Sequence, residues 1–166
     1  MARSLYDAIP ATDFRKYSYL DPDRSTYAYQ SVRGNAWLDE QPDYMSLKFR
    51  PVGGDYNTYS VGAAADIPVM RVEEMYLIEA EAVGASQNVA AGVQLLNNFM
   101  KQYRQSNYNF STGDLRNFQL EVLKQMRIEF WGEGIAFPTA KRLKPDVIQN
   151  YEGTNFIEDI FKINCK

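Results

Sequence analysis

Residues 66–84 read Asp-Ile-Pro-Val-Met-Arg-Val-Glu-Glu-Met-Tyr-Leu-Ile-Glu-Ala-Glu-Ala-Val-Gly, the stretch of this chain with the tightest helical patterning. Pro68 suits the first turn of a helix, where its missing N–H costs nothing, and Asp66 is placed to cap the exposed amides. Val69, Val72, Tyr76, Ala80 and Val83 recur at three- and four-residue steps, which predicts one buried stripe. Gly84 is expected to supply the left-handed residue that stops the helix. A second helix is expected to begin after Ser86 or Asn88 and to fray near Ser106 and Asn107. Its inner face would carry Gly92, Leu96, Phe99, Met100 and Tyr103. A third is predicted over Asp114–Trp131, with Leu115, Phe118, Val122, Met126 and Phe130 on one side and Gly132 and Gly134 at its end.

The first two helices and their turn span roughly 35 residues, the size of one tetratricopeptide unit. Small residues at Ala80 and Gly92 would let the paired backbones approach closely. Such a unit needs neighbours to bury its outer faces, so an exposed apolar flank and self-association are expected. The fold class read from the pattern is mainly α: a tetratricopeptide-like helical hairpin plus a third long helix, flanked by an extended loop-rich N-terminal segment and an irregular C-terminal tail. Residues 1–65 form the loop-rich aromatic segment, 66–134 the helical core and 135–166 the tail. Four of the seven prolines (Pro10, Pro22, Pro42, Pro51) and the Gly53-Gly54 pair fall in the first segment, with no sustained helical period. Tyr44–Arg50 alternates weakly and reads as a short strand ended by Pro51, and Gly53-Gly54-Asp55 as a turn. In the tail, Pro145 and Gly153 are breakers and Ile157–Ile163 reads as a short helix.

Composition removes several chemistries. The chain has 166 residues, enough for one sizeable core, and its net charge of −3 offers no electrostatic footprint for nucleic acid. There is no histidine, which excludes Ser-His-Asp and Cys-His nucleophile systems and imidazole metal sites. The single cysteine, Cys165, permits no intrachain disulfide. Asp21-Pro22-Asp23 lacks the glycine and terminal glutamate of a calcium loop and reads as a turn. No cofactor or metal is expected. Among acidic pairs, Glu79 and Glu81 diverge on a helix, while Glu129 and Glu133 could share a face. Helix-surface or interhelix ion pairing, with Arg71 near Glu74 and Arg127 near Glu129, explains them better than glycosidase acid/base work. The expectation is a binder and not an enzyme.

Eight of the 12 tyrosines lie in the first 60 residues, joined by Trp37. A tyrosine ring has a flat apolar face and a polar tip, which suits surfaces that meet sugars or proteins as well as the packing of loops onto a core. Trp37 and Tyr44, with Arg33 beside them, are the candidate ligand contacts; Asn35, Asp39 and Asp43 are nearby polar groups. Asn109-Phe110-Ser111 fits the glycosylation acceptor pattern.

The phrase Pro68-Val69-Met70-Arg71-Val72-Glu73-Glu74-Met75-Tyr76-Leu77-Ile78-Glu79-Ala80-Glu81-Ala82 resembles one found in SusD/RagB nutrient-binding proteins. Leu96-Asn97, the phrase Arg127-Ile128-Glu129-Phe130-Trp131-Gly132-Glu133-Gly134, Lys141-Arg142-Leu143 and the upstream Leu5–Lys16 are similar to further parts of that family. Phe137-Pro138-Thr139-Ala140 departs from it, and its proline implies a locally altered backbone. The resemblance implies a glycan- or nutrient-binding lipoprotein at the surface of the outer membrane, acting as the lid of a SusC-like TonB-dependent transporter. It captures ligand by shape and stacking and breaks no bond. It also implies a truncated fragment of a larger SusD-like domain, since the family's signal peptide, lipid-bearing cysteine and earlier helices precede such a region. No binding residue is carried over from the family.

Overall fold

The computed structural model describes residues 1, 3–25, 39–49, 68–149 and 159–162. Two compact units divide the chain, Met1–Ile67 and Pro68–Lys166.

In the first unit, which holds α1 (Arg3–Asp7) and a 3-10 helix (Phe14–Ser18), Leu5, Tyr6, Ile9, Tyr19, Leu20 and Leu47 are buried. Asp13 starts the 3-10 helix because its carboxylate accepts the Arg15 N–H at 3.0 Å. The Arg15 guanidinium folds back on the same carboxylate, Nε to Oδ1 at 3.0 Å and Nη2 to Oδ2 at 2.6 Å, and both side chains are buried. Asp21 and Arg24 close the turn expected at Pro22, with the Arg24 N–H on the Asp21 carbonyl at 3.0 Å. Among the described residues of the strand expected over Tyr44–Arg50, 44–49, no strand forms. Tyr44 is left-handed (φ 65°), Ser46 makes only an isolated bridge to Tyr19, and the chain turns at Lys48 and Phe49. A left-handed residue at the start breaks the period-two alternation that a strand requires. The Gly53-Gly54-Asp55 turn lies outside the described residues.

The second unit is mainly helical. Its elements are α2 (Val72–Ser86), α3 (Val89–Tyr103), α4 (Leu115–Glu129), α5 (Ala136–Leu143) and a hairpin of β1 (Asp146–Gln149) with β2 (Asp159–Lys162). Asn88 and Asp114 cap α3 and α4, each accepting the N–H three residues on, from Ala91 at 2.8 Å and Asn117 at 2.7 Å. Leu77, Ala80, Leu96, Phe99, Met100, Phe118, Val122, Met126 and Phe130 form the core between the three long helices.

Helix α2 differs from its expected form in three ways. Pro68 is not in its first turn: the helix starts four residues later, Arg71 at its N-cap is extended and gives no side-chain cap, and Asp66 lies outside the described residues. The buried line is Leu77, Ala80, Glu81 and Gly84, while Val69, Val72 and Tyr76 are exposed. Valine, methionine, isoleucine and alanine occur nearly all round α2, so apolar spacing alone does not select a side. The small residues do, because the backbone of α3 can come close only there. A Cβ on Gly92 would lie 2.6 Å from the Ala80 carbonyl oxygen and 2.7 Å from the Gly84 Cα. Gly84, in turn, does not end the helix; it sits within it and leaves room for the Phe118 ring, which a Cβ would strike.

Tyr103 and Leu115 of the expected inner faces are partly exposed, although the Tyr103 ring packs on Tyr76 and Phe99 with centroids 6.0 and 5.8 Å away. Gly132 and Gly134 both take positive φ (79° and 77°) and turn the chain after α4. The tail is more regular than its composition implies. Pro138 is the third residue of α5, within the turn that tolerates proline. Lys144 (φ 46°) ends that helix with its N–H on the Ala140 carbonyl at 2.8 Å. Within the helix expected at Ile157–Ile163, the described residues 159–162 form β2 instead, antiparallel to β1 with Asp146 opposite Lys162 and Gln149 opposite Asp159. Isoleucine and phenylalanine favour a strand once a partner is at hand.

Candidate functional site

Charged residues from three separate helices converge at one place in the second unit. Arg71 Nε and Nη2 donate to Glu133 Oε2 and Oε1 at 3.0 and 3.1 Å, a two-pronged fork. Its Nη1 reaches Glu129 Oε1 at 3.1 Å, and Nη2 also donates to the Glu129 carbonyl at 2.8 Å. Arg104, just past the end of α3, makes a second fork with Nε and Nη2 on Glu129 Oε2 and Oε1 at 2.7 and 2.9 Å. Its Nη2 also meets Glu73 at 3.0 Å. The guanidiniums lie over apolar rings, Arg71 over Phe130 at 4.8 Å and Arg104 over Phe99 at 5.3 Å.

This arrangement is a clasp joining the start of α2, the end of α3 and the end of α4. Burial disfavours the charge on both arginines, but hydrogen bonds to and charge on their glutamate partners outweigh it. Arg71 (with Glu133, Glu129 and Glu73) and Arg104 (with Glu129 and Glu73) are both held above their ordinary pKa. A glycosidase pair needs two carboxyl groups facing a space that a sugar can enter. Here the Glu129 and Glu133 oxygens are all taken by guanidinium N–H groups. The ion pairing expected from the sequence is present, with different partners: Glu129 pairs with Arg71 and Arg104, not Arg127. Arg127 is two residues before Glu129 and so points elsewhere on α4, where burial lowers its pKa. Arg104 has no local sequence signal that would have marked it.

Two further ties follow the same logic. Glu81 accepts from Arg142 at 2.7 Å on both oxygens and from Gln119 at 3.1 Å, linking α2, α4 and α5. The Asn97 amide pairs with the backbone of Phe110 in both directions, each bond 2.9 Å, and pins the loop between α3 and α4.

In the first unit the aromatic residues divide into buried and exposed sets. Tyr6, Tyr19 and Tyr44 cluster, with Tyr6 to Tyr19 at 6.4 Å and Tyr6 to Tyr44 at 4.9 Å, and Lys16 Nζ lies 4.5 Å above the Tyr6 ring. Burial, with the charge of Asp21 and neighbouring groups, raises the Tyr6 pKa. Tyr44, the candidate ligand contact, is half-buried; its N–H donates to the Leu20 carbonyl at 2.7 Å and its carbonyl accepts the Met1 amine at 2.7 Å. Asp43, read as a polar neighbour, pairs with Arg24 at 2.8 Å. Trp37 and Arg33 lie outside the described residues. Phe14 and Tyr17, which the sequence did not single out, are exposed on the 3-10 helix. No group of three metal-ligating side chains occurs among the described residues, and none of their helices is long and apolar enough to cross a membrane.

The sequence profile of the SusD family (SusD/RagB) matches residues 12–155 of this chain. No curated protein and no solved structure matches it.

Proposed function

Because the chain belongs to the SusD family, we propose that it is a non-catalytic glycan- or nutrient-binding component of an outer-membrane uptake system. In this reading it works as a surface lipoprotein beside a SusC-like TonB-dependent transporter. The family match over residues 12–155 carries the proposal. The geometry supports it from the other side. Six charged members of the signature phrases (Arg71, Glu73, Glu81, Glu129, Glu133 and Arg142) are engaged in holding helices together, which favours aromatic and loop residues for recognition. Trp37, Tyr44 and Arg33 stay the proposed ligand contacts, in the segment of residues 1–65. In domain terms, 1–166 is read as one piece of a larger SusD-like domain.

The outward face of α2 favours a second role within the same reading. Val72, Met75, Tyr76 and Ile78 are exposed there, next to the exposed Val69 and Met70. Apolar side chains gathered on one helix mark a surface that meets protein. A tetratricopeptide-like interaction module without a ligand of its own would use this face alone.

Two measurements separate the readings. Calorimetric titration with soluble oligosaccharides should give saturable binding if the chain is a glycan receptor. Copurification of a β-barrel transporter from outer membranes, lost in Ile78→Glu, would place the α2 face against a protein. Transporter capture without any glycan binding would leave the interaction module as the better account.

A further inference from the structure

The four residues before α2 are pulled toward two conformations. Pro68-Val69-Met70-Arg71 reads as the first turn of a helix, with proline where a missing N–H costs nothing and no glycine to stop it. The structure keeps these residues out of the helix, with Arg71 extended at φ −133° and ψ 150°. Packing does not hold them there. Val69 and Met70 are 88% and 71% exposed, and the backbone of 68–70 makes no hydrogen bond among the described residues. What holds them is the Arg71 side chain, forked onto Glu133 and bonded to both the carboxylate and the carbonyl of Glu129.

The clasp and the missing turn exclude each other. Residues three and four apart share a helix face, so a helical Arg71 would stand with Met75, Ile78 and Ala82. All three are exposed, on the side of α2 turned away from the core residues Leu77 and Ala80. From that side the guanidinium loses Glu129 and Glu133. Continuing the helix back to Pro68 offers new bonds in return, from the Val72, Glu73 and Glu74 N–H groups to the carbonyls of Pro68, Val69 and Met70. In the clasped form the first two N–H groups have no partner among the described residues, and that of Glu74 meets the Arg71 carbonyl at 3.1 Å. The extra turn also brings Val69 into line with the exposed Val72 and Tyr76.

We propose that the clasp sets the length of α2: with Arg71 bound to Glu129 and Glu133 the helix starts at Val72, and with Arg71 released it starts at Pro68. Release lengthens the exposed apolar face by Val69, so the clasp controls how much surface α2 offers to a protein. That consequence rests on the protein-contact reading of the α2 face above; the switch itself does not.

The test compares the full chain with Arg71→Met, which removes the tether at little change in helix propensity, by amide hydrogen exchange and backbone chemical shifts. The expected result is helical shifts at 68–71 and exchange slowed roughly tenfold or more at the Val72 and Glu73 amides. Loss of stability alone speeds exchange, so the direction separates the switch from general loosening. Arg104→Met is the control. It breaks the clasp from the other side but leaves Arg71 on Glu133, so α2 should keep its start at Val72. Val72→Pro fits the first position of the observed helix after an extended Arg71, and blocks the longer helix by removing an N–H from its interior. Arg71→Met/Val72→Pro should therefore show none of the gain. Should Arg71→Met fail to fold, Glu133→Gln, with Arg71 still bonded to Glu129, should show the same changes in smaller part, and their absence there overturns the switch. Residues 68–71 that stay extended in a folded Arg71→Met protein overturn it too, as does slowed exchange at Glu73 that survives Val72→Pro. In either case the protein-contact reading of α2 is left standing.

Discussion

Replacing Glu129 by glutamine keeps its size and removes the charge at the centre of the clasp. Two arginines then face a neutral amide whose NH2 end turns N–H groups toward other N–H groups. Breaking a buried ion pair from one side costs on the order of 3–5 kcal/mol, because the remaining charge is left uncompensated. The Glu129 and Arg104 side chains are only 5% and 10% exposed, so that range applies to their fork. Arg71 is more open and keeps its fork to Glu133, which softens the loss. The expected cost is therefore about 2–4 kcal/mol, or a fall in melting temperature on the order of 10 °C for a unit of this size. Urea unfolding should show a lower midpoint with unchanged m. Glu81→Gln is the comparison. Its arginine partner, Arg142, is 51% exposed, and pairs of that kind contribute about 0–1 kcal/mol. A Glu129→Gln protein within about 0.5 kcal/mol of the parent, or one less affected than Glu81→Gln, would refute the clasp.

Three further outcomes are expected. Gly92→Ala should cost roughly 1–3 kcal/mol by pressing a methyl group onto the backbone of α2, whereas Gly113→Ala, which meets nothing within 4 Å, should be near neutral by the same urea titration. Asn97→Ala removes both bonds to Phe110 and should cost about 1–3 kcal/mol, with faster hydrogen exchange at the Phe110 amide as the local sign. Tyr6 has a raised pKa in the folded state, so the unfolded chain releases that proton first. Its contribution is complete below the ordinary tyrosine value near 10 and is lost as pH rises through the folded value; Tyr6→Phe should flatten that part of the alkaline stability profile.

The helical core was legible because its signals are local. Asn88 and Asp114 announce two helix starts, Gly132 and Gly134 announce an end, and the pairing of Ala80 with Gly92 follows from their size. The buried side of α2 was not legible, since an apolar circumference carries no period that chooses a face. The helix start was missed for a related reason: Arg71 is drawn out by Glu129 and Glu133, 58 and 62 residues away, and nothing beside Pro68 encodes that pull. The β2 strand is not legible because Ile160 and Phe161 suit either state until β1 supplies a partner. Sequence spacing allows Glu129 and Glu133 to share a face but points to Arg127 as the neighbouring cation, because Arg104 and Arg71 reach the two glutamates only through the fold.

On the proposed function, the paired charges of the signature phrases (Arg71, Glu73, Glu81, Glu129, Glu133 and Arg142) build the scaffold and take no part in ligand chemistry. Titration of the same oligosaccharide into Glu129→Gln, at a temperature where that variant stays folded, tests this most directly. The expected result is a dissociation constant within about twofold of the parent, a difference well under 1 kcal/mol. Glycan cleavage by the parent protein that disappears in Glu129→Gln, or loss of binding by a fully folded variant, would contradict it.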